Sequence, residues 1–261
     1  MPTKSQRLLE QYERDGYTVI RKVIDSDLVG ETDRFVDWLL KKHPGVRPES
    51  LHSYLMRDEP FMLRLVGDDR LLDVAEVFIG PNIALYGAHF ICKPPEDGKA
   101  VAWHQDGAYW PLEPMEVATL WLAVTESSQK NGCLRVIPGT QRMILQEMKS
   151  PSPGPNVMLH GMDQSLADES EAVDIILEPG DVSVHHPNII HGSKANISKK
   201  WRRGLTIRYI PTSTRVTRKE GSQFLLRGDS VPGVNEYLPR PLFVEGKHMP
   251  FRGMEKWSDE L

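Results

Sequence analysis

The chain has 261 residues, 39% hydrophobic and 26% charged, enough apolar material for a core without covalent staples and too much for a disordered chain. Its 32 basic and 36 acidic residues give a net charge of −4, and the densest basic run, KKWRR at 199–203, is short, which argues against nucleic-acid binding. No stretch reaches the roughly 20 apolar residues of a membrane span.

The start, MPTKSQRLLEQYERDGY, is charged throughout and lacks the apolar core of a signal peptide. Two cysteines without a CxxC read as reduced thiols, so a cytoplasmic protein is expected. Residues 4–16 predict a helix, with Leu8, Leu9 and Tyr12 at helical spacing and Gly16 as its stop. TVIRKVI then alternates like a short strand. Asp25 or Ser26 can cap a second helix, DLVGETDRFVDWLLKK, whose Leu28, Phe35, Trp38 and Leu39 form an apolar stripe. A third helical stretch spans 60–79 and ends at Gly80.

Beyond Gly80 the period changes. NIALYGAHFICK, EVATLWLAV, CLRVIPG, VDIILEPGDVSV and RGLTIRYI are short and β-rich, with Gly, Pro and Asn between them. Strands without long intervening helices point to a sandwich or closed barrel. The tail from Val231 is proline-rich and could wrap the barrel, close the site or meet another subunit. One domain over 1–261 is expected: a helical layer over 4–80, a β core over 81–215 and a C-terminal extension over 216–261.

The sharpest local feature is WHQDG at 103–107. In extended chain, residues i and i+2 point the same way, so His104 and Asp106 present an imidazole and a carboxylate side by side. These are two legs of the two-histidine, one-carboxylate arrangement that leaves open positions on non-haem iron(II). An HxD alone is a common accident, because surface His and Asp are mostly just solvated. PGDVSVHHPNIIHGS (179–193) offers three candidates for a third ligand, His185, His186 and His191, and spacing does not choose among them. In RRGLTIRYI (202–210), Arg202, Gly204, Thr206 and Arg208 share one face, while Arg203, Leu205, Ile207 and Tyr209 share the other. An inward arginine needs an anion, and a dicarboxylate suits it because the guanidinium grips both carboxylate oxygens. The competing reading is an edge strand with solvent-facing arginines. Tyr109 and Trp110, just after the HxD, could form a substrate wall or simply pack the loop. Arg208 and Arg215 could grip an anionic substrate or be surface charges.

Taken together, these residues resemble the phytanoyl-CoA dioxygenase family of iron(II)/2-oxoglutarate oxygenases. The segments that carry the resemblance are DGYTVI, GPNIALYGAHFICKPP, WHQD, NGCLRVIPGT, PGDVSVHHPNIIHGS and WRRG, spread from Tyr12 to Pro211. The resemblance implies a mainly β fold with flanking helices: a double-stranded β-helix, that is, a cupin-like jelly-roll barrel with an N-terminal helical layer. It implies iron(II) on His104, Asp106 and His191, the histidine of HGS, in preference to His185 and His186. It places the far carboxylate of 2-oxoglutarate on Arg202, eleven positions after His191, with Arg203 as fallback. Ser193, Trp121, Gln105 and His89 would join that cosubstrate site, and His52 is a weaker candidate near the substrate, with Tyr109, Trp110 and Arg208.

The implied activity consumes 2-oxoglutarate and O2, releases succinate and CO2, and by default hydroxylates an unactivated C–H bond of a small organic substrate; desaturation, ring formation and epimerisation are alternatives that depend on substrate placement. The carboxylate of Asp106 counts against halogenation, since related halogenases carry a small residue there. A cupin-type metalloenzyme that uses no 2-oxoglutarate has no need of Arg202. A non-catalytic jelly-roll binding protein has no need of HxD and HGS together. No nucleic-acid or membrane partner is expected, and oligomeric state is not legible.

Overall fold

The computed structural model describes residues 3–218 and 224–258. Helix α1 (Lys4–Asp15) starts at Thr3, whose hydroxyl accepts from the Gln6 N–H while the Gln6 side chain returns a bond to Thr3, and stops at Gly16 with φ 81°. Helix α2 (Ser26–Lys42) is capped by Asp25, which accepts from the Leu28 N–H, and it buries Leu28, Phe35, Val36 and Leu39. The stretch expected as one helix over 60–79 is two, α3 (Pro60–Val66) and α4 (Asp69–Ile79). Gly67 closes α3 onto the Leu63 carbonyl, and Asp68 begins α4 by accepting from the Arg70 N–H. A stop and a new cap at adjacent positions outweigh the shared apolar period.

The strands are β1 (Tyr17–Ile20), β2 (Leu51–His52), β3 (Ile83–Phe90), β4 (Val101–His104), β5 (Leu112–Glu113), β6 (Ala118–Ala123), β7 (Leu134–Val136) and β8 (Ser150–Pro151). They continue with β9 (His160–Gly161), β10 (Val173–Ile175), β11 (Val182–His185), β12 (His191–Ser193), β13 (Gly204–Pro211), β14 (Arg215–Val216) and β15 (Phe224–Arg227). A seven-stranded sheet runs β1-β11-β6-β13-β3-β15, with β2 also on β3, and a four-stranded sheet runs β10-β7-β12-β4. The strand pairs of both are antiparallel. No strand pairs join the two sheets among the described residues, so the jelly roll is a pair of sheets whose barrel is not closed, nearer the sandwich than the closed barrel of the two forms expected. VDIILEPGDVSV supplies one strand to each sheet, β10 and β11, because its EPGD turn carries the chain across the gap.

The helices cover the outer face of the large sheet. Leu28, Phe35, Leu39, Phe61 and Leu65 meet Phe90, Leu120, Val184, Leu205, Ile207 and Tyr209 in one cluster. The Tyr209 hydroxyl donates to the Val66 carbonyl at 2.7 Å. Met249 and Phe251 join the same cluster, with Phe251 5.6 Å from Phe61, so this part of the proline-rich tail wraps the helical face. Because alternate β13 residues face the helices, Arg202, Gly204, Thr206 and Arg208 face the other way, into the gap between the sheets. No helix among the described residues is long and apolar enough to cross a membrane.

Candidate active site

A cavity of about 280 Å³ lies in that gap, lined from both sheets. His104 ends β4, Gln105 stays extended, and a one-turn 3₁₀ helix then presents Asp106 on the same side as His104. His191 opens β12 directly opposite His104 in the register. The two imidazoles lie 4.1 Å apart between centroids. His104 Nε2 is 3.4 Å from Asp106 Oδ1, and His191 Nε2 is 4.0 Å from Asp106 Oδ2. One ligand atom from each of the three buried residues lies within 4.8 Å of the others.

The outward nitrogens fix the tautomers. His104 Nδ1 donates to the Ala102 carbonyl at 2.8 Å, and His191 Nδ1 donates to the Ile189 carbonyl at 3.0 Å. A carbonyl only accepts, so each Nδ1 carries the proton and each Nε2 lone pair faces Asp106. Burial holds His191 well below the ordinary histidine range. Burial alone would raise the Asp106 carboxyl, but its polar surroundings, the charge of Arg208 among them, outweigh it and keep Asp106 ionised. Acceptor atoms converging at this spacing repel unless a cation lies between them. Two imidazoles and one carboxylate, buried and oriented from behind, fit a divalent transition metal.

The other two histidines part company. His186 faces away, as a strand neighbour of His185 must; its Nδ1 accepts from the Asn188 N–H at 3.0 Å and its ring packs 5.8 Å from Tyr12. His185 is buried in the cavity wall, 4.8 Å from the His191 ring, with no hydrogen bond to either nitrogen. Burial pushes it down to about 4.

Arg202 is fully buried. Its guanidinium lies over Trp121 at 5.2 Å, Nη2 donates to the Ile91 carbonyl at 2.9 Å, and Nε has no acceptor. Beside it Lys93, also fully buried, donates from Nζ to Ser193 Oγ at 2.7 Å and to the Lys194 carbonyl. Burial, reinforced by Arg202, drives Lys93 well below its ordinary value, and burial brings Arg202 down to about 10. No carboxylate lies within ion-pair distance of either among the described residues. The field of Glu49 reaches both, but Glu49 is paired with Arg47 at 2.9 Å, so two buried basic side chains without an ion-paired acid make a place for an anion. Sequence reasoning passed over Lys93 because a lysine at the end of a strand normally reaches solvent.

The expectations for Arg203 and Gln105 need correction, and the two readings of Arg215 are decided. Arg203 is no substitute for Arg202: it lies on the helical side, paired with Asp33 at 2.8 Å and Asp37 at 2.6 Å. Gln105 does not line the cavity, because the residue between two inward side chains must point outward. Its amide donates to the Asn188 carbonyl and accepts from the Gln146 N–H, both at 2.8 Å. Arg215 is exposed and lies outside the cavity wall. His52, His89, Tyr109, Trp110, Trp121, Ser193 and Arg208 do line it. His89 donates from Nε2 to the Glu49 carbonyl at 2.9 Å, and its ring packs tilted against His52 with centroids 3.9 Å apart.

The sequence profile of the phytanoyl-CoA dioxygenase (PhyH) family matches residues 12–204. The chain belongs to that family. This makes it an iron(II)- and 2-oxoglutarate-dependent dioxygenase by class. It is 34% identical over 223 residues to human peroxisomal phytanoyl-CoA dioxygenase, a match that covers 76% of this chain and 66% of the human protein. Among solved structures, the apo form of the non-haem monooxygenase ThoJ superposes with a TM-score of 0.75 at 24% identity, over 90% of this chain and 88% of ThoJ. EctD from S. alaskensis, solved with 2-oxoglutarate and 5-hydroxyectoine, superposes with a TM-score of 0.67 at 23% identity, over 87% of this chain and 85% of EctD. These likenesses give the family member a double-stranded β-helix fold, and its sheets match the jelly-roll pattern expected.

Proposed function

We propose that the protein hydroxylates a C–H bond of a small organic substrate, with iron(II) held by His104, Asp106 and His191 and the far carboxylate of 2-oxoglutarate held by Arg202. One observation carries this reading. A single cavity is lined by three oriented metal-binding side chains and by Arg202, which has no ion-paired acid and has Lys93 buried behind Ser193 beside it. A metalloenzyme that uses no 2-oxoglutarate would have no reason to bury those two cations.

When bound, the metal supplies the oxidative decarboxylation of 2-oxoglutarate to succinate and CO2 and the coupled oxidation of the substrate. The chain's own residues bind and orient. Trp121 lies under the Arg202 guanidinium and Ile91 takes one of its N–H groups, which fixes the plane of the remaining donors. Ser193 Oγ accepts from Lys93, so its own O–H is free to donate to the carboxylate that Arg202 grips. Asp106 occupies the carboxylate position that halogenating relatives leave open, which favours hydroxylation. Tyr109, Trp110 and His52 line the cavity and are assigned to the substrate, and His89, which also lines it, to the cosubstrate. Cys92 and Cys133 are free, buried thiols held well above their ordinary value by burial, which suits a reducing cytoplasm.

The test is to add iron(II) and then 2-oxoglutarate to metal-free protein without oxygen. A visible charge-transfer band that needs both is expected, and Arg202→Ala should require far more 2-oxoglutarate to reach it. A fully metallated protein that shows no band rules out the cosubstrate assignment.

A further inference from the structure

Arg208 is the one cationic group of the cavity wall that the reading above does not use. It stands on β13 six residues beyond Arg202, about 20 Å along an extended strand. Its guanidinium lies over Trp110 at 5.1 Å, and its Nε is buried without an acceptor. No carboxylate pairs with it among the described residues. Trp110 lies against it, and its charge reaches His52 and His89 in the same cavity wall.

Arg208 also begins a row. The register places Arg208 beside Thr119 on β6, and Thr119 beside His185 on β11. Each of these three inward-facing side chains has buried polar atoms with no hydrogen-bond partner: Nε of Arg208, Oγ1 of Thr119, and both ring nitrogens of His185. Thr119 and His185 are almost completely buried. Buried polar groups are normally satisfied, so a row of unsatisfied ones along a cavity wall marks where a polar ligand or ordered water belongs.

Charge accounting then separates two ligands. A divalent metal on Asp106 leaves one positive charge. The two carboxylates of 2-oxoglutarate are answered by that charge and by Arg202, with Lys93 already beside Arg202. The field of Arg208 does reach Asp106, but Asp106 is committed to the metal, and neither carboxylate of the cosubstrate is left over. Arg208 remains unbalanced, on the side of the cavity toward Tyr109 and Trp110.

From this we infer that the substrate is an anion, a small molecule carrying a carboxylate or similar acidic group that binds Arg208 over Trp110 beside Thr119. The inference rests on the iron/2-oxoglutarate reading and adds the class of substrate to it. Arg suits the role because its planar fork meets two oxygens at once while its face stays on the indole.

The experiment uses full-length protein loaded anaerobically with iron(II) and saturating 2-oxoglutarate. Matched acid and amide pairs are titrated in: phenylacetate with phenylacetamide, benzoate with benzamide, hexanoate with hexanamide. The readouts are perturbation of the charge-transfer band and the rise in Tm. At least one acid should bind more tightly than its amide, without displacing 2-oxoglutarate, and Arg208→Gln should weaken that acid about tenfold or more while leaving the amide and 2-oxoglutarate unchanged. Arg208→Lys keeps the charge, so it should retain the acid preference at reduced affinity, and it serves if the glutamine variant folds poorly. The inference is overturned if no acid outperforms its amide, if Arg208→Gln leaves the acid unaffected, or if the acid competes with 2-oxoglutarate and so occupies the Arg202 end. Failure of the underlying reading looks different: the wild-type band itself would be missing.

Discussion

His185 and His191 bring their Nε2 atoms to the same 4.0 Å from Asp106 Oδ2. What separates them is the far side of each ring. His191 is oriented by a hydrogen bond to the Ile189 carbonyl, whereas His185 has nothing behind it. Metal ligands are aimed by such outer bonds, which also hold the lone pair on the inward nitrogen. His191→Ala should therefore lose iron during desalting, and His185→Ala should keep it. Metal content after gel filtration reads this directly, and iron loss from the His185 variant alone would reverse the assignment.

Arg202 and Arg203 are adjacent but belong to different parts of the molecule. Arg202→Ala should raise the 2-oxoglutarate Kd at least about tenfold, with iron content unchanged, since a charged hydrogen bond of this kind is worth about 1.5–3 kcal/mol. Arg203→Ala should leave that Kd alone and lower stability by about 1 kcal/mol, because Asp33 and Asp37 are themselves partly exposed. Titration of the charge-transfer band and urea unfolding separate the two. Loss of 2-oxoglutarate affinity in the Arg203 variant would mean that the strand's faces have been read the wrong way round.

Much of this was legible in the chain because short periods carry it. The caps and apolar spacing around Leu8, Tyr12, Leu28 and Phe35 gave α1 and α2, and the two-residue alternation of RRGLTIRYI separated Arg202 from Arg203. The same rule applied to HQD would have turned Gln105 outward; the resemblance drew it in. What depends on tertiary placement was not legible. The Gly67–Asp68 break was hidden by apolar residues on both sides of it. His185 and His191 lie on opposite sheets, so no local spacing could show that both reach Asp106. Lys93 became a site residue only because β12 brings Ser193 to its Nζ.

Gly204 explains how Trp121 reaches its position. A Cβ at Gly204 would lie 2.1 Å from Trp121 Cζ2 and 2.5 Å from Cη2, so the indole crosses the strand only because no side chain is there. Gly204→Ala should displace the ring on which Arg202 rests, cost about 1–3 kcal/mol of stability through overpacking, and weaken 2-oxoglutarate binding. Adding Trp121→Phe, which lacks the two closest clashing atoms, should restore the stability but not the binding. Recovery of both in the double variant would show that the Trp121–Arg202 contact at 5.2 Å contributes little.

The buried, unpaired state of His185 also sets an acid limit on the metal-free protein. Burial holds its folded-state pKa at about 4, against about 6.5 in an unfolded chain. Between these values the unfolded state binds a proton that the folded state refuses, so stability is intact above about pH 6.5 and falls as the pH drops toward 4. Over that window His185 alone accounts for a loss of about 3 kcal/mol. His185→Phe has no ring nitrogen to titrate and should lose correspondingly less between pH 7 and pH 4.5. Urea midpoints of both metal-free proteins at the two pH values make the comparison. Metal-free protein is required because iron binding would oppose protonation of His104 and His191 and mask the difference. If wild type and variant lose stability in parallel, the folded-state pKa of His185 is not depressed in solution, and the acid sensitivity must come from His191 and the carboxylates instead.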